Sequence, residues 1–365
     1  MRFTLRLIAI ALLASLSIGW KASKTASNGI LTAPRNIYLY DTLMFISDSA
    51  SGILVYANSS SVKPRLLQTI PIRGNSGMAY KDSILYADSY GSILALHIDT
   101  DTTFHVEKQL TFNGRWGMGA DYYYYGDDEF TGCVCAGKDY SPVASADMTG
   151  GGGSGGSYAV FAVRDSFLYH VNYSSLVAYD ISNPADPVET GRIYTNWTVE
   201  TIHPTKDYLF LGTQQGMEVY GLTDPAKPNY ISRIQHARSY DPVVVKDTLA
   251  FITLREGWWT TISNVLLSVS IKDIYNPKTL DTLSLVSPYG LAVSGSNVIV
   301  ANGNSGYTLV NASNPSQMFI DASTATPNAR DFIWIADTLY MMGMNHLTKY
   351  NCADPKSLSE IWKLP

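Results

Sequence analysis

The sequence predicts an all-β fold, a seven-bladed β-propeller whose blades are four-stranded antiparallel sheets. Three observations carry this. A polar turn followed by an apolar run returns seven times, at Asp41-Thr-Leu-Met-Phe-Ile, Asp82-Ser-Ile-Leu-Tyr-Ala, Asp165-Ser-Phe-Leu-Tyr-His, Asp207-Tyr-Leu-Phe-Leu-Gly, Asp247-Thr-Leu-Ala-Phe-Ile, Ser296-Asn-Val-Ile-Val-Ala and Asp337-Thr-Leu-Tyr-Met-Met. The steps between these anchors are 41, 83, 42, 40, 49 and 41 residues, and a period of about forty assembled from short strands marks a propeller. The runs are near-continuous in Val, Ile, Leu, Phe and Tyr, as strands packed on both faces require. Charged residues make up only 16% of the chain against 46% apolar residues, which argues against disorder and against a helical repeat with charged outer faces.

The unit is plainest after the second anchor. Residues 158–163 read as a first strand, 164–166 as a tight turn, 167–171 as a second strand and 172–175 as a polar break. Residues 176–181 form a third strand, Ser182-Asn-Pro-Ala-Asp-Pro a turn, and 188–193 a fourth strand. An Asx-Pro step recurs at Asn183-Pro184, Asp224-Pro225, Asn276-Pro277, Asn314-Pro315 and Asp354-Pro355. The Asx side chain bonds the turn backbone, while proline fixes φ and refuses a ladder bond. The segment Leu176-Val-Ala-Tyr-Asp-Ile-Ser-Asn-Pro-Ala-Asp-Pro-Val resembles the LVIVD repeat, and Gly216-Met-Glu-Val-Tyr-Gly-Leu-Thr-Asp-Pro-Ala-Lys-Pro is similar to it. The remaining copies drift, and the first two lack the Asx-Pro step. This resemblance, over roughly residues 36–365, implies a propeller of a kind found in exported and surface proteins of microbes. It brings no established chemistry to transfer.

The 83-residue step leaves room for an eighth blade, the alternative count. Its content argues for a loop, because Gly150-Gly-Gly-Gly-Ser-Gly-Gly cannot be strand and only 122–125 and 130–134 look extended. Residues 113–157 therefore read as one long Gly- and Tyr-rich insertion within a propeller that occupies 23–365.

Residues 1–22 read as a signal peptide. Arg2 and Arg6 precede an apolar and small-residue run over 7–18, which is shorter than the ~20 residues a membrane span needs. Trp20 stands where a lipid-anchored chain would carry cysteine. The expectation is an exported protein (periplasmic, cell-surface or secreted) with no membrane span in the mature chain. The net charge of −5 argues against a protein that coats nucleic acid.

Three cysteines, Cys133, Cys135 and Cys352, are too few for a disulfide framework. Pairing of one of the first two with Cys352 and plain free thiols both remain open. Cys-x-Cys without further ligands is a weak zinc pattern, and the histidines are scattered, so no metal site is expected. No cofactor motif is present. The glycine run lacks the Lys-Ser/Thr of a phosphate loop, and no Gly-x-Ser-x-Gly occurs.

In a meander blade the turns between strands one and two, and three and four, share one face of the ring. The turns between strands two and three share the other face with the blade-to-blade junctions. The insertion 113–157 falls at a junction, and Arg255-Glu-Gly-Trp-Trp-Thr-Thr-Ile falls between strands two and three of the fifth blade. Both therefore project from the junction face, which gathers Trp116, Tyr122, Tyr123, Tyr124, Tyr125, Trp258 and Trp259 in loops. Arginines mark the same face at Arg35, Arg73, Arg115, Arg238 and Arg330, with Arg255 in the neighbouring loop. Lysines such as Lys81, Lys206, Lys227, Lys246 and Lys272 fall on the opposite one. Guanidinium groups hold carboxylate, phosphate or aromatic faces, and loop aromatics match the composition of interface hot spots.

The expected role is thus non-enzymatic binding of a protein or a cell-surface glycan, with Arg35, Arg73, Arg115, Arg238, Arg255, Arg330, Trp116, Tyr122, Tyr123, Trp258 and Trp259 as ligand-binding candidates. No residue is assigned a catalytic role under this reading. The alternative is a lyase or hydrolase acting on an anionic glycan at the channel mouth, with Glu200, His236 or Asp241 handling protons.

Overall fold

A computed structural model describes residues 29–58, 62–90, 92–99, 103–111, 155–172, 174–195, 198–235, 242–256, 264–326 and 328–365. These form seven four-stranded antiparallel sheets, each with its strands in sequence order. The blades span 34–70, 78–111, 161–194, 199–235, 243–284, 291–324 and 331–364. First strands of successive blades touch one another from blade 1 through blade 7 and so line the axis.

The recurring aspartates have a backbone reason. In every blade but blade 4, where residues 205–207 make a three-residue turn, a two-residue hairpin joins strands one and two. Its first residue takes a left-handed φ, at Asp41 (49°), Asp82 (48°), Asp165 (51°) and Asp247 (53°). Asp, Asn and Gly tolerate that region better than other residues. Blade 6 uses Gly295 (57°) there, and blade 7 uses Ala336 (49°), because its anchor Asp337 stands one place later in the turn. Strands three and four carry one register shift in every blade, at the same place in each repeat.

The Asx-Pro turn does more than reverse the chain. Its proline carbonyl accepts a hydroxyl from the preceding blade: Tyr86 donates to Pro184 at 2.8 Å, Tyr169 to Pro225 at 3.0 Å, and Ser268 to Pro315. In blade 5 the equivalent turn is Asp273-Ile274, where Ser232 donates to the Ile274 carbonyl and Asp273 accepts from the Tyr275 amide at 3.1 Å. The sequence reading counted Asn276-Pro277 as this step. That pair instead ends the turn, three positions on, because Asp273 supplies the side-chain cap.

Among the described residues six apolar clusters make the core, and each spans neighbouring blades rather than lying inside one. The ring closes between blades 7 and 1 through Ile37, Met44 and Tyr56 packed with Tyr340, Leu347 and Trp362. Two hydrogen bonds join them, Tyr340 Oη to Asn58 Oδ1 at 3.2 Å and the Leu31 amide to the Pro365 carbonyl at 2.7 Å. Cys352 is a free, buried thiol, which burial pushes up to a pKa of about 11. Cys133 and Cys135 lie outside the described residues.

A left-handed alanine costs roughly 1–2 kcal/mol that asparagine largely avoids. Ala336→Asn is therefore expected to stabilise the fold by about 0.5–1 kcal/mol, read as a higher urea midpoint at unchanged slope. An unchanged or lower midpoint would contradict the turn geometry.

Candidate functional site

The junction face is built where first strands begin. Its best-defined part lies between blades 5, 6 and 7. Thr253 is the penultimate residue of the second strand of blade 5 (Leu249–Leu254) and donates its hydroxyl to the Tyr289 carbonyl at 2.6 Å. Arg255 follows two residues later and brings its guanidinium to 4.0 Å from the Tyr289 ring centre. Arg330, at the junction before blade 7, stacks on the same ring at 4.3 Å. Tyr289 itself sits in the linker between blades 5 and 6, its amide donating to the Ala301 carbonyl at 2.7 Å. One buried aromatic ring thus gathers two guanidinium groups, each contact contributing about 0.5–2 kcal/mol.

Asp331 lies beside them, fully buried at the start of the first strand of blade 7 (Asp331–Ile335). Gly290 makes room for it, since a Cβ there would stand 1.9 Å from Asp331 Oδ1. The carboxylate accepts from Ser157 Oγ at 3.1 Å, and the Leu291 amide donates to the same hydroxyl at 3.3 Å. Ser157 belongs to the residues just before blade 3, so this chain segment reaches across the ring to blades 6 and 7. It also meets blade 4, where the Ile202 amide donates to the Ala159 carbonyl at 2.8 Å. Residues 155–160 therefore fill the mouth, leaving beside Tyr38, Gly155, Ala159 and Ile202 a cleft of ≈10 Å³, space for about one water.

This segment departs from the sequence expectation. The first strand of blade 3 was placed at 158–163, whereas it runs Phe161–Arg164. Ser157 and Ala159 find their hydrogen-bond partners on other blades, and a strand in that register would forfeit them. Tyr158 ends among Arg255, Asp331, Glu200 and Tyr289. Burial raises the pKa of its hydroxyl far above the ordinary phenol value, with Arg255 opposing and Asp331, Glu200 and Tyr289 adding to the rise.

Of the arginines singled out in the sequence, Arg255 and Arg330 converge on Tyr289. Arg35 is half-buried at a bulge in the first strand of blade 1 (Pro34–Tyr40), and Arg73 is exposed in the linker before blade 2. Arg115, Arg238, Trp116, Tyr122, Tyr123, Trp258 and Trp259 lie outside the described residues, as do His236 and Asp241. Among the remaining histidines, His170 is a core residue stacked on Phe161 at 4.3 Å, with its pKa held down to about 3 by burial and then by the charge of Arg192. Ser157, Tyr158, Tyr289 and Asp331 were missed as site residues. Each looks locally like ordinary strand or linker, and only the closed ring brings them together.

The LVIVD repeat family model matches residues 155–195 and 289–326, the two stretches that supply Ser157, Tyr158 and Tyr289. Solved structures share the fold at low identity. A protein from Lactobacillus plantarum is 14% identical with a TM-score of 0.62, covering 91% of this chain and 96% of its own. Saccharomyces cerevisiae Sqt1 is 7% identical with a TM-score of 0.59, covering 92% and 86%. BamB from Moraxella catarrhalis is 9% identical with a TM-score of 0.55, covering 85% and 82%. No curated protein sequence matches the chain. The chain is a seven-bladed β-propeller that carries LVIVD repeats.

Proposed function

We propose that this protein is an exported β-propeller that binds a protein or a cell-surface glycan through its junction face. The observation that carries the reading is the filled mouth. Two guanidinium groups are already stacked on Tyr289, and residues 155–160 lie across the mouth beside them, with Ser157 bonded to Asp331. Recognition then falls to the outer surface of this face, where residues 113–154 and the 257–263 loop join the ring. The sequence places the loop aromatics Trp116, Tyr122, Tyr123, Trp258 and Trp259 there, the residue types that dominate interface hot spots. The opposite face carries Lys81 and Lys246 at the ends of first strands, with Lys227 and Lys272 exposed in the turns between strands three and four.

Replacing Trp258 and Trp259 with alanine is expected to weaken partner capture from the organism's own envelope fraction by about 2 kcal/mol, a roughly thirtyfold loss. The melting temperature should hardly change. Replacing Lys227 and Lys272 should leave capture intact apart from a salt-dependent shift. Equal losses from both pairs would overturn the assignment of the face. Export rests on the 1–22 segment, and N-terminal sequencing of the mature protein is expected to begin between Trp20 and Ser23. A chain that still starts at Met1 would refute it.

A further inference from the structure

Blade 2 departs from the repeat at its third turn. In blades 3, 6 and 7 the equivalent position in strand three carries Asp180, Asn311 or Asn351, whose side-chain oxygen accepts an amide two residues on at 2.7–3.0 Å, while blades 1, 4 and 5 carry Ala57, Gly221 and Ser270. Blade 2 has His97 there, and across the ladder, directly opposite, stands His105. None of the other six blades has histidine at either position. The two imidazoles stack with ring centres 5.0 Å apart and planes 23° from parallel.

Two carboxylates complete the group. Asp99 Oδ1 lies 3.1 Å from His97 Nδ1, and Asp99 Oδ2 lies 3.5 Å from His105 Nδ1. Thr103 Oγ1 donates to the same carboxylate at 2.9 Å and fixes its orientation. On the far side of the ring, His105 Nε2 stands 2.8 Å from Glu107 Oε1. Glu107 is the extra residue of the register shift in this ladder, which is how it comes to lie beside His105.

That arrangement has a chemical consequence. A neutral His105 that donates Nε2–H to Glu107 turns its Nδ1 lone pair toward Asp99. Three electron-pair donors then converge, with the ligand atoms of His97, Asp99 and His105 all within 4.8 Å of one another. Metal–ligand bonds of about 2.0–2.2 Å at tetrahedral angles put ligand atoms roughly 3.3–3.5 Å apart, close to the spacings from Asp99 to the two rings. A carboxylate on the outer nitrogen of a ligating histidine is the usual second layer of a zinc site.

We propose that His97, Asp99 and His105 form a divalent transition-metal site of the zinc type, with Glu107 as the positioning residue for His105. Two nitrogens and one oxygen suit zinc, copper, nickel or cobalt rather than calcium or magnesium. All three side chains are partly exposed, so the ion enters from solvent and water fills the fourth position. The site lies on the outer strands of blade 2, apart from the mouth, and stands independently of the binding role proposed above. The pattern His-x-Asp…His-x-Glu was visible in the sequence, but its meaning depends on the pairing of His97 with His105.

The test is calorimetric titration of zinc chloride into untagged full-length protein, freed of metal and carrying Cys133→Ser and Cys135→Ser so that Cys-x-Cys cannot compete. One zinc per chain is expected. His97→Ala with His105→Ala should abolish binding, Asp99→Asn should weaken it at least tenfold, and Glu107→Gln should weaken it about 10- to 100-fold. Circular dichroism and melting of each variant establish that the propeller is retained, and Asp99→Asn, equal in size, serves if the double variant does not fold. Absence of stoichiometric binding, or binding that survives loss of both histidines, overturns the proposal.

Discussion

A ring whose every sheet is complete within one stretch of sequence has no strand to lock it shut. Each blade finishes its own ladder, so the load falls on what passes between blades. Two kinds of contact carry it. Apolar clusters lie across the blade interfaces, where burial contributes about 25 cal/mol per Å². Hydroxyl groups then fix the register of one blade against the next by bonding the carbonyl of its third turn. A single such bond contributes only about 0.5–1.5 kcal/mol, but repetition around the ring makes the turn a fastening rather than a simple reversal. The turn suits the task because it lies outside the ladders, so its carbonyl is free to accept, whether it belongs to proline or, in blade 5, to Ile274.

The same constraint shapes the mouth. First strands must begin close together around the axis, so the linkers that deliver them crowd there with their polar groups needing partners. Asp331 and the Leu291 amide meet this need through Ser157, a residue from the opposite side of the ring. Tyr289 meets it by offering its ring to Arg255 and Arg330. The segment before blade 3 therefore ties together parts of the ring far apart in sequence. It is also the end of the longest stretch of sequence that the repeat does not explain.

Much of the fold was legible in advance because period and turn chemistry repeat. The anchors Asp41, Asp82, Asp165 and Asp247 sit where a left-handed φ is required, and a seven-fold return of the polar turn with its apolar run announces seven blades. Registers were legible only within about three residues. Asn276-Pro277 looked like the recurring step, yet Asp273 performs it, because a cap is defined by which amide it reaches. The mouth was half legible. Arginine at the junctions pointed to Arg255 and Arg330, but nothing local marks Tyr289 as their common partner or Ser157 as a bridge. The role of Ser157 comes from contacts with residues 134 and 174 positions away. The histidines of blade 2 show the same limit, since two scattered residues became a pair only through the ladder.

The central claim is that residues 155–160 are seated in the mouth and fasten blades 6 and 7. Amide hydrogen exchange at Leu291 tests it most directly, comparing the native protein with Ser157→Ala. Loss of one hydrogen bond of about 1 kcal/mol should speed exchange at Leu291 roughly fivefold, while amides in the turns between strands one and two keep their rates. Exchange at Leu291 that is equally slow in both proteins would mean that Ser157 does not hold blade 6 and that the mouth is closed by something else.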